Sequence, residues 1–156
     1  MIQLKKVKEK WELESINKNT TPTTEELEGF KFENNLYIPD DLEEYFKQLN
    51  GTGGEYTDDL YEFYPVNKIK QVKNELINWK GVPNYHKLLG IEEVVDLYVF
   101  ANYSFNLFVY AIRLGSKKSP KNEVYILCGE KYKKIADTFS EFLDLYLEDS
   151  IELQFS

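Results

Sequence analysis

Between Val94 and Ile135 the chain repeats one kind of segment four times. Val94 to Tyr103, Leu107 to Leu114, Glu123 to Cys128 and Tyr132 to Ile135 are runs of β-branched and aromatic residues. Such side chains fit a pleated, half-buried surface. The Ser/Asn, Gly/Ser/Pro and Gly/Glu stretches between the runs supply the turn chemistry of an antiparallel meander. With Leu60 to Val66 as a further aromatic strand, the pattern predicts one mainly antiparallel sheet of about four to six strands.

Helical spacing flanks these runs. Leu4, Val7 and Trp11 recur at the helical period, and after a polar loop from Asn17 to Thr23, Thr23, Thr24 and Glu26 resemble a capping box leading into Leu27 and Phe30. The clearest helix follows Pro39: Leu42, Tyr45, Phe46 and Leu49 fall at i, i+3, i+4 and i+7, and Asp40, Asp41, Glu43 and Glu44 favour its N-terminal end through the helix dipole. Asn50 and Gly51 stop it, since glycine supplies a left-handed cap. Ile69, Val72, Leu76 and Trp79 predict a further helix over Asn67 to Trp79, and Pro83 to Gly90 reads as irregular. Thr138-Phe139-Ser140-Glu141 is a second capping box, opening a last helix with Phe139, Phe142, Leu143, Tyr146 and Leu147 on its apolar face. Helices, then strands, then a helix indicate an α+β fold rather than a βαβ repeat, and the 156 residues suit a single domain, 1–156.

Charge narrows the partner. A net charge of −8 and a pI near 4.8 oppose a nucleic-acid backbone or an anionic membrane and favour a protein with a basic surface. No stretch approaches the roughly eighteen apolar residues of a membrane span, so a cytoplasmic location is expected. Oligomeric state is left open.

Catalytic and cofactor chemistry finds little to stand on. His86 is the only histidine, so a triad or imidazole metal site would rest on it alone. Cys128 is the only cysteine, which rules out an intrachain disulfide and reads as a small buried hydrophobe. Gly51 to Gly54 lacks the Gly-Lys-Ser/Thr ending of a phosphate loop. No cofactor and no metal are expected.

Two acidic clusters remain. Glu55-Tyr56-Thr57-Asp58-Asp59-Leu60-Tyr61-Glu62 holds four acids and two tyrosines without a base, a composition suited either to a solvated loop or to a contact patch. In the patch reading Glu55, Asp58, Asp59 and Glu62 pair with partner bases while Tyr56 and Tyr61 anchor. Ile135 to Ser156 carries six acids and no Lys or Arg, and Asp137, Glu141, Asp144 and Glu148 recur at i, i+4, i+7 and i+11 as one stripe. Arg113 to Lys134, with seven bases against two acids, is placed to neutralise it in part if the two lie side by side.

Thr24-Glu25-Glu26-Leu27, then Leu36-Tyr37-Ile38-Pro39-Asp40-Asp41-Leu42, Phe46 and Leu49-Asn50-Gly51-Thr52-Gly53-Gly54, closed by Thr138-Phe139-Ser140-Glu141-Phe142-Leu143, resemble the SUKH superfamily. That group contains bacterial immunity proteins and a fungal regulator of cell-wall synthesis. The resemblance covers nearly the whole chain, with short structural motifs and none that is catalytic. It implies an α+β sheet fold and, in bacteria, neutralisation of a toxin, often a nuclease, by direct binding. The expectation is therefore a non-enzymatic immunity-type protein acting on a cognate toxin through acidic and aromatic surface, with a signalling or scaffold adaptor, and then an enzyme, as the alternatives.

Overall fold

Apolar spacing decides where the helices form. In the computed structural model, which describes residues 1–16, 22 and 24–155, α1 (Ile2–Leu13) buries Leu4, Val7 and Trp11, α2 (Thr24–Asn34) buries Leu27 and Phe30, and α3 (Asp40–Gln48) buries Leu42, Tyr45 and Phe46. The loop expected from Asn17, and Thr23 of the first capping box, lie outside the described residues apart from Pro22. Asn50 (φ 50°) and Gly51 (φ 88°) take left-handed backbone and end the α3 segment, as the sequence predicts.

The strands that follow are β1 (Tyr61–Phe63) and β2 (Lys70–Gln71); two single-turn helices, α4 (Val72–Glu75) and α5 (Glu92–Val95), lead into β3 (Tyr98–Tyr103), β4 (Phe108–Ile112), β5 (Val124–Cys128) and β6 (Lys131–Ala136). All pairings are antiparallel, in the order β1-β3-β4-β5-β6, with β2 paired to the other end of β3. This six-stranded sheet with helices packed on it is the predicted α+β arrangement.

α6 (Phe139–Leu147) completes the fold. Thr138 Oγ1 accepts from Glu141 N at 3.1 Å. The returning Glu141 carboxylate accepts from Asp137 N at 2.8 Å, one residue upstream of the usual reciprocal position. Asp41 Oδ2 accepts from both Ser140 N and Ser140 Oγ at 2.9 Å and so joins the N-terminal ends of α3 and α6.

On one face of the sheet the core is aromatic. Phe63 meets Trp11 at 5.1 Å and Tyr146 at 5.0 Å between ring centres, Phe100 meets Phe142 at 4.9 Å, and Tyr110 meets Phe142 at 5.5 Å. Trp11 Nε1 donates to the Tyr146 hydroxyl at 3.0 Å, so α1 and α6 share a polar contact inside the core.

The stretch 67–79 corrects the sequence reading. Ile69, Val72 and Leu76 are buried at the predicted spacing, yet Lys70 and Gln71 are drawn out as an edge strand on Val99 and Tyr98, leaving one helical turn after them. Sheet pairing overrides the local period. Likewise the run from Val94 starts as the end of α5, and the strand begins at Tyr98; the Leu60–Val66 strand shortens to Tyr61–Phe63 because Val66 opens a 3-10 turn. Residues 66–97 cover the sheet's second face: Tyr85 is buried and its hydroxyl donates to the carbonyl of Asn106 at 2.6 Å.

Candidate functional site

The acidic and aromatic segment 55–62 is a loop closed onto β1 at both ends. Thr52 N donates to Phe63 O at 2.9 Å and Thr52 Oγ1 accepts from Phe63 N at 3.1 Å. Thr57 N donates to Tyr61 O at 2.7 Å and Thr57 Oγ1 accepts from Tyr61 N at 2.9 Å. Both threonines are buried with these bonds made, so the loop between them is anchored rather than loose.

Strand alternation then divides the segment. Tyr61 and Phe63 point to the helices, and Glu62 points to the second face, opposite Asn102. Tyr61 is only 2% exposed, with ring centres 5.1 Å from Tyr103, 5.9 Å from Tyr110 and 5.1 Å from Tyr146. Burial pushes its hydroxyl up to about 12. Tyr61, expected as a surface anchor, packs mainly into the core because its position opposite Tyr103 faces inward, and it reaches the surface only as part of a cavity lining.

On the helix side, Asp58, Asp59, Leu60 and Tyr61 line a cavity of about 250 Å³ together with Tyr103, Asp149 and Gln154. Lys10 sits 3.4 Å from Asp59 and 2.9 Å from Glu14, and the Glu14 carboxylate accepts from Asp58 N. Burial lowers the Lys10 ammonium's proton affinity, but Glu14 and Asp59 outweigh it and raise the pKa overall. Three carboxylates around one cavity, with an aromatic wall and, among the described residues, one nearby ammonium, make a place suited to a cationic group.

On the second face, Tyr56 donates from its hydroxyl to Asn102 Oδ1 at 3.0 Å, and its ring lies 4.5 Å from that of Phe105. Phe105 is 69% exposed at the tip of the β3–β4 turn, where Ser104, Phe105 and Asn106 all have positive φ (48°, 54° and 66°). Left-handed backbone costs a non-glycine residue about 1–2 kcal/mol. Asn102 Oδ1 accepts from Asn106 N at 3.2 Å and holds the turn. Glu55 is exposed beside this pair in sequence, and Leu60 and Leu107 add exposed apolar surface.

The stripe on α6 is outward: Glu141, Asp144 and Glu148 are exposed. Asp137 precedes the helix and is engaged by Lys134 at 2.8 Å and Lys121 at 3.9 Å; the Lys134 bond, above all, holds its carboxyl below the usual range. The basic segment therefore neutralises the start of the stripe and leaves the rest. The stripe's far end leads to Asp149, which joins the Asp58–Asp59 cavity, so the two acidic clusters converge there. Asp149, Tyr103, Gln154 and Phe105 were not singled out from sequence. Asp149 is one of the six C-terminal acids, and an aromatic residue in a Ser-Asn turn was the available signal for Phe105.

Among the described residues no group of His, Cys, Asp and Glu is arranged to hold a metal ion, and no helix is long and apolar enough to cross a membrane. His86 is exposed. Cys128 is half-buried at the end of β5 rather than fully enclosed, and burial raises its thiol pKa, which disfavours the reactive thiolate.

A model of the SMI1/KNR4 family (SUKH-1) matches residues 21–145, most of the chain. The chain belongs to this family. No match was found among curated proteins or among solved structures. The SUKH-1 match takes in the 52–60 loop, the sheet and the 66–97 segment; α1 and the residues after Leu145, Asp149 and Gln154 among them, fall outside it.

Proposed function

We propose that this SUKH-1 protein is an immunity-type binder that neutralises a cognate bacterial toxin domain in the cytoplasm, stoichiometrically and without turnover. The observation carrying this reading is the convergence of Asp58, Asp59 and Asp149 on a cavity walled by Tyr61 and Tyr103 and lined also by exposed Leu60. Carboxylates beside an aromatic wall suit a Lys or Arg of a basic partner, and the net charge of −8 suits long-range attraction to it. A nuclease is the toxin class whose own substrate requires such a basic surface. Exposed Phe105 with Tyr56, and the Glu141, Asp144 and Glu148 stripe, extend the surface available for contact.

The test is co-expression with the product of the adjacent gene, scored by survival and co-purification, followed by kinetics at two salt concentrations. Replacing Asp58, Asp59 and Asp149 together with Asn is expected to lower the association rate about tenfold at low salt and flatten its salt dependence. Phe105→Ala is expected to speed dissociation about tenfold or more without changing the melting temperature. Rates unchanged in both variants would move the contact surface elsewhere. Survival without co-purification would favour a signalling adaptor.

A further inference from the structure

The second face carries a pocket separate from the Asp58–Asp59 cavity. It has a volume of about 310 Å³ and is lined by Glu62, Tyr64, Lys68, Lys70 and Glu75. That volume lies at the small end of ligand sites. Its charge is balanced, two carboxylates against two ammonium groups. Among the described residues, none of the four forms an ion pair with another or with a neighbour, although eleven such pairs occur elsewhere in the fold.

The four are carried on different stretches of backbone. Glu62 is fixed by strand pairing and accepts from Asn102 Nδ2 at 3.3 Å. Lys70 stands on β2, paired to Val99, and Lys68 closes the 3-10 turn that starts where Val66 N donates to Asn50 Oδ1 at 2.8 Å. Glu75 comes from α4, on the far side of that turn and strand in sequence. Burial raises the Glu75 carboxyl pKa, with Lys70 and Lys68 opposing the shift and Glu62 adding to it.

Tyr64 adds a hydroxyl donor. It is 6% exposed, and its hydroxyl accepts from Asn102 Nδ2 at 2.9 Å. Asn102 has no capacity left to receive the phenol proton: its Oδ1 already accepts from Tyr56 and Asn106, and its Nδ2 donates to Tyr64 and Glu62. Among the described residues that proton meets no acceptor. Tyr64 lines the pocket, so its hydroxyl can donate to a carboxylate placed there.

We propose that this pocket binds a small zwitterion of the α-amino-acid class, its ammonium group held by Glu62 and Glu75 and its carboxylate by Lys68, Lys70 and the Tyr64 hydroxyl. A free cation leaves the two lysines and Tyr64 unanswered, and a free anion leaves the two carboxylates unanswered. A zwitterion answers both sets at once. The site goes beyond toxin binding and does not depend on it.

The experiment is a ¹H–¹⁵N correlation titration of the full chain with glycine and with L-alanine, and separately with acetate and with methylammonium. The amino acids are expected to give saturable shifts at the Asn102 side-chain amide and the backbone amides of residues 68–75, with dissociation constants of about 1 mM or below. Acetate and methylammonium are expected to bind at least about tenfold more weakly. Glu75→Gln and Lys70→Met, each checked for parental spectral dispersion, are expected to weaken amino-acid binding about tenfold or more. The triple variant combining Asp58→Asn, Asp59→Asn and Asp149→Asn is expected to leave it intact. Shifts that stay linear to about 20 mM, or acetate binding as well as glycine, or both single variants binding like the parent, would overturn the proposal.

Discussion

Gly51→Ala tests the frame of the acidic loop. Gly51 has φ 88°, and a Cβ built there would stand 2.6 Å from Phe63 O, 2.8 Å from Pro65 N and 2.8 Å from the Tyr64 carbonyl carbon. All three are backbone atoms, so no side chain can swing aside. Left-handed backbone alone costs alanine about 1–2 kcal/mol. Relieving the contacts requires the end of β1 to move away and breaks the paired bonds between Thr52 and Phe63, each contributing about 1 kcal/mol. The expected loss is about 3–4 kcal/mol, a large share of a typical domain stability of about 5–15 kcal/mol. Gly54→Ala is the control: φ is 82°, but nothing lies within 4 Å of the added Cβ, so only the conformational cost of about 1–2 kcal/mol applies. Urea unfolding of the two variants beside the parent measures the difference. If Gly51→Ala cost no more than Gly54→Ala, the close approach of β1 to this turn would not be the reason for glycine.

Two further outcomes follow from burial. Tyr61→Ala is expected to lose about 3–5 kcal/mol of stability in chemical unfolding, so any binding defect accompanies a lower melting temperature; lost binding with an unchanged melt would return Tyr61 to the contact surface. Glu75→Gln is expected to melt higher than the parent at neutral pH. The folded pKa of Glu75 is raised, so its charged form opposes folding above that pKa, whereas below the ordinary value of 4.5 both states are protonated and the advantage of Gln vanishes. A gain that persisted unchanged in acid would have another cause.

Legibility in the sequence followed the kind of information each element uses. α3 and α6 were readable because Leu42, Tyr45 and Phe46, and then Phe139, Phe142 and Tyr146, encode their buried faces locally. Lys70 and Gln71 were not, since their extended form comes from Val99 and Tyr98, nearly thirty positions later in the chain. The acidic loop was found as a composition but not as a geometry. The alternation of Tyr61, Glu62, Phe63 and Tyr64 carried the information that Tyr61 turns inward, and grouping the residues by charge and aromaticity concealed it. Asp149 was legible only as one more acid, because its nearness to Asp58 and Asp59 depends on how α6 returns across the sheet.

α1 lies before the family match, yet it supplies Trp11 to the core and Lys10 to the underside of the acidic loop, with Glu14 just past its end. Among the described residues Lys10 is the ammonium paired with Asp59, so its identity contributes to the net charge at the cavity. On the proposed binding reading, a substitution at Lys10 would alter that charge from a helix lying outside the residues the SUKH-1 pattern matches.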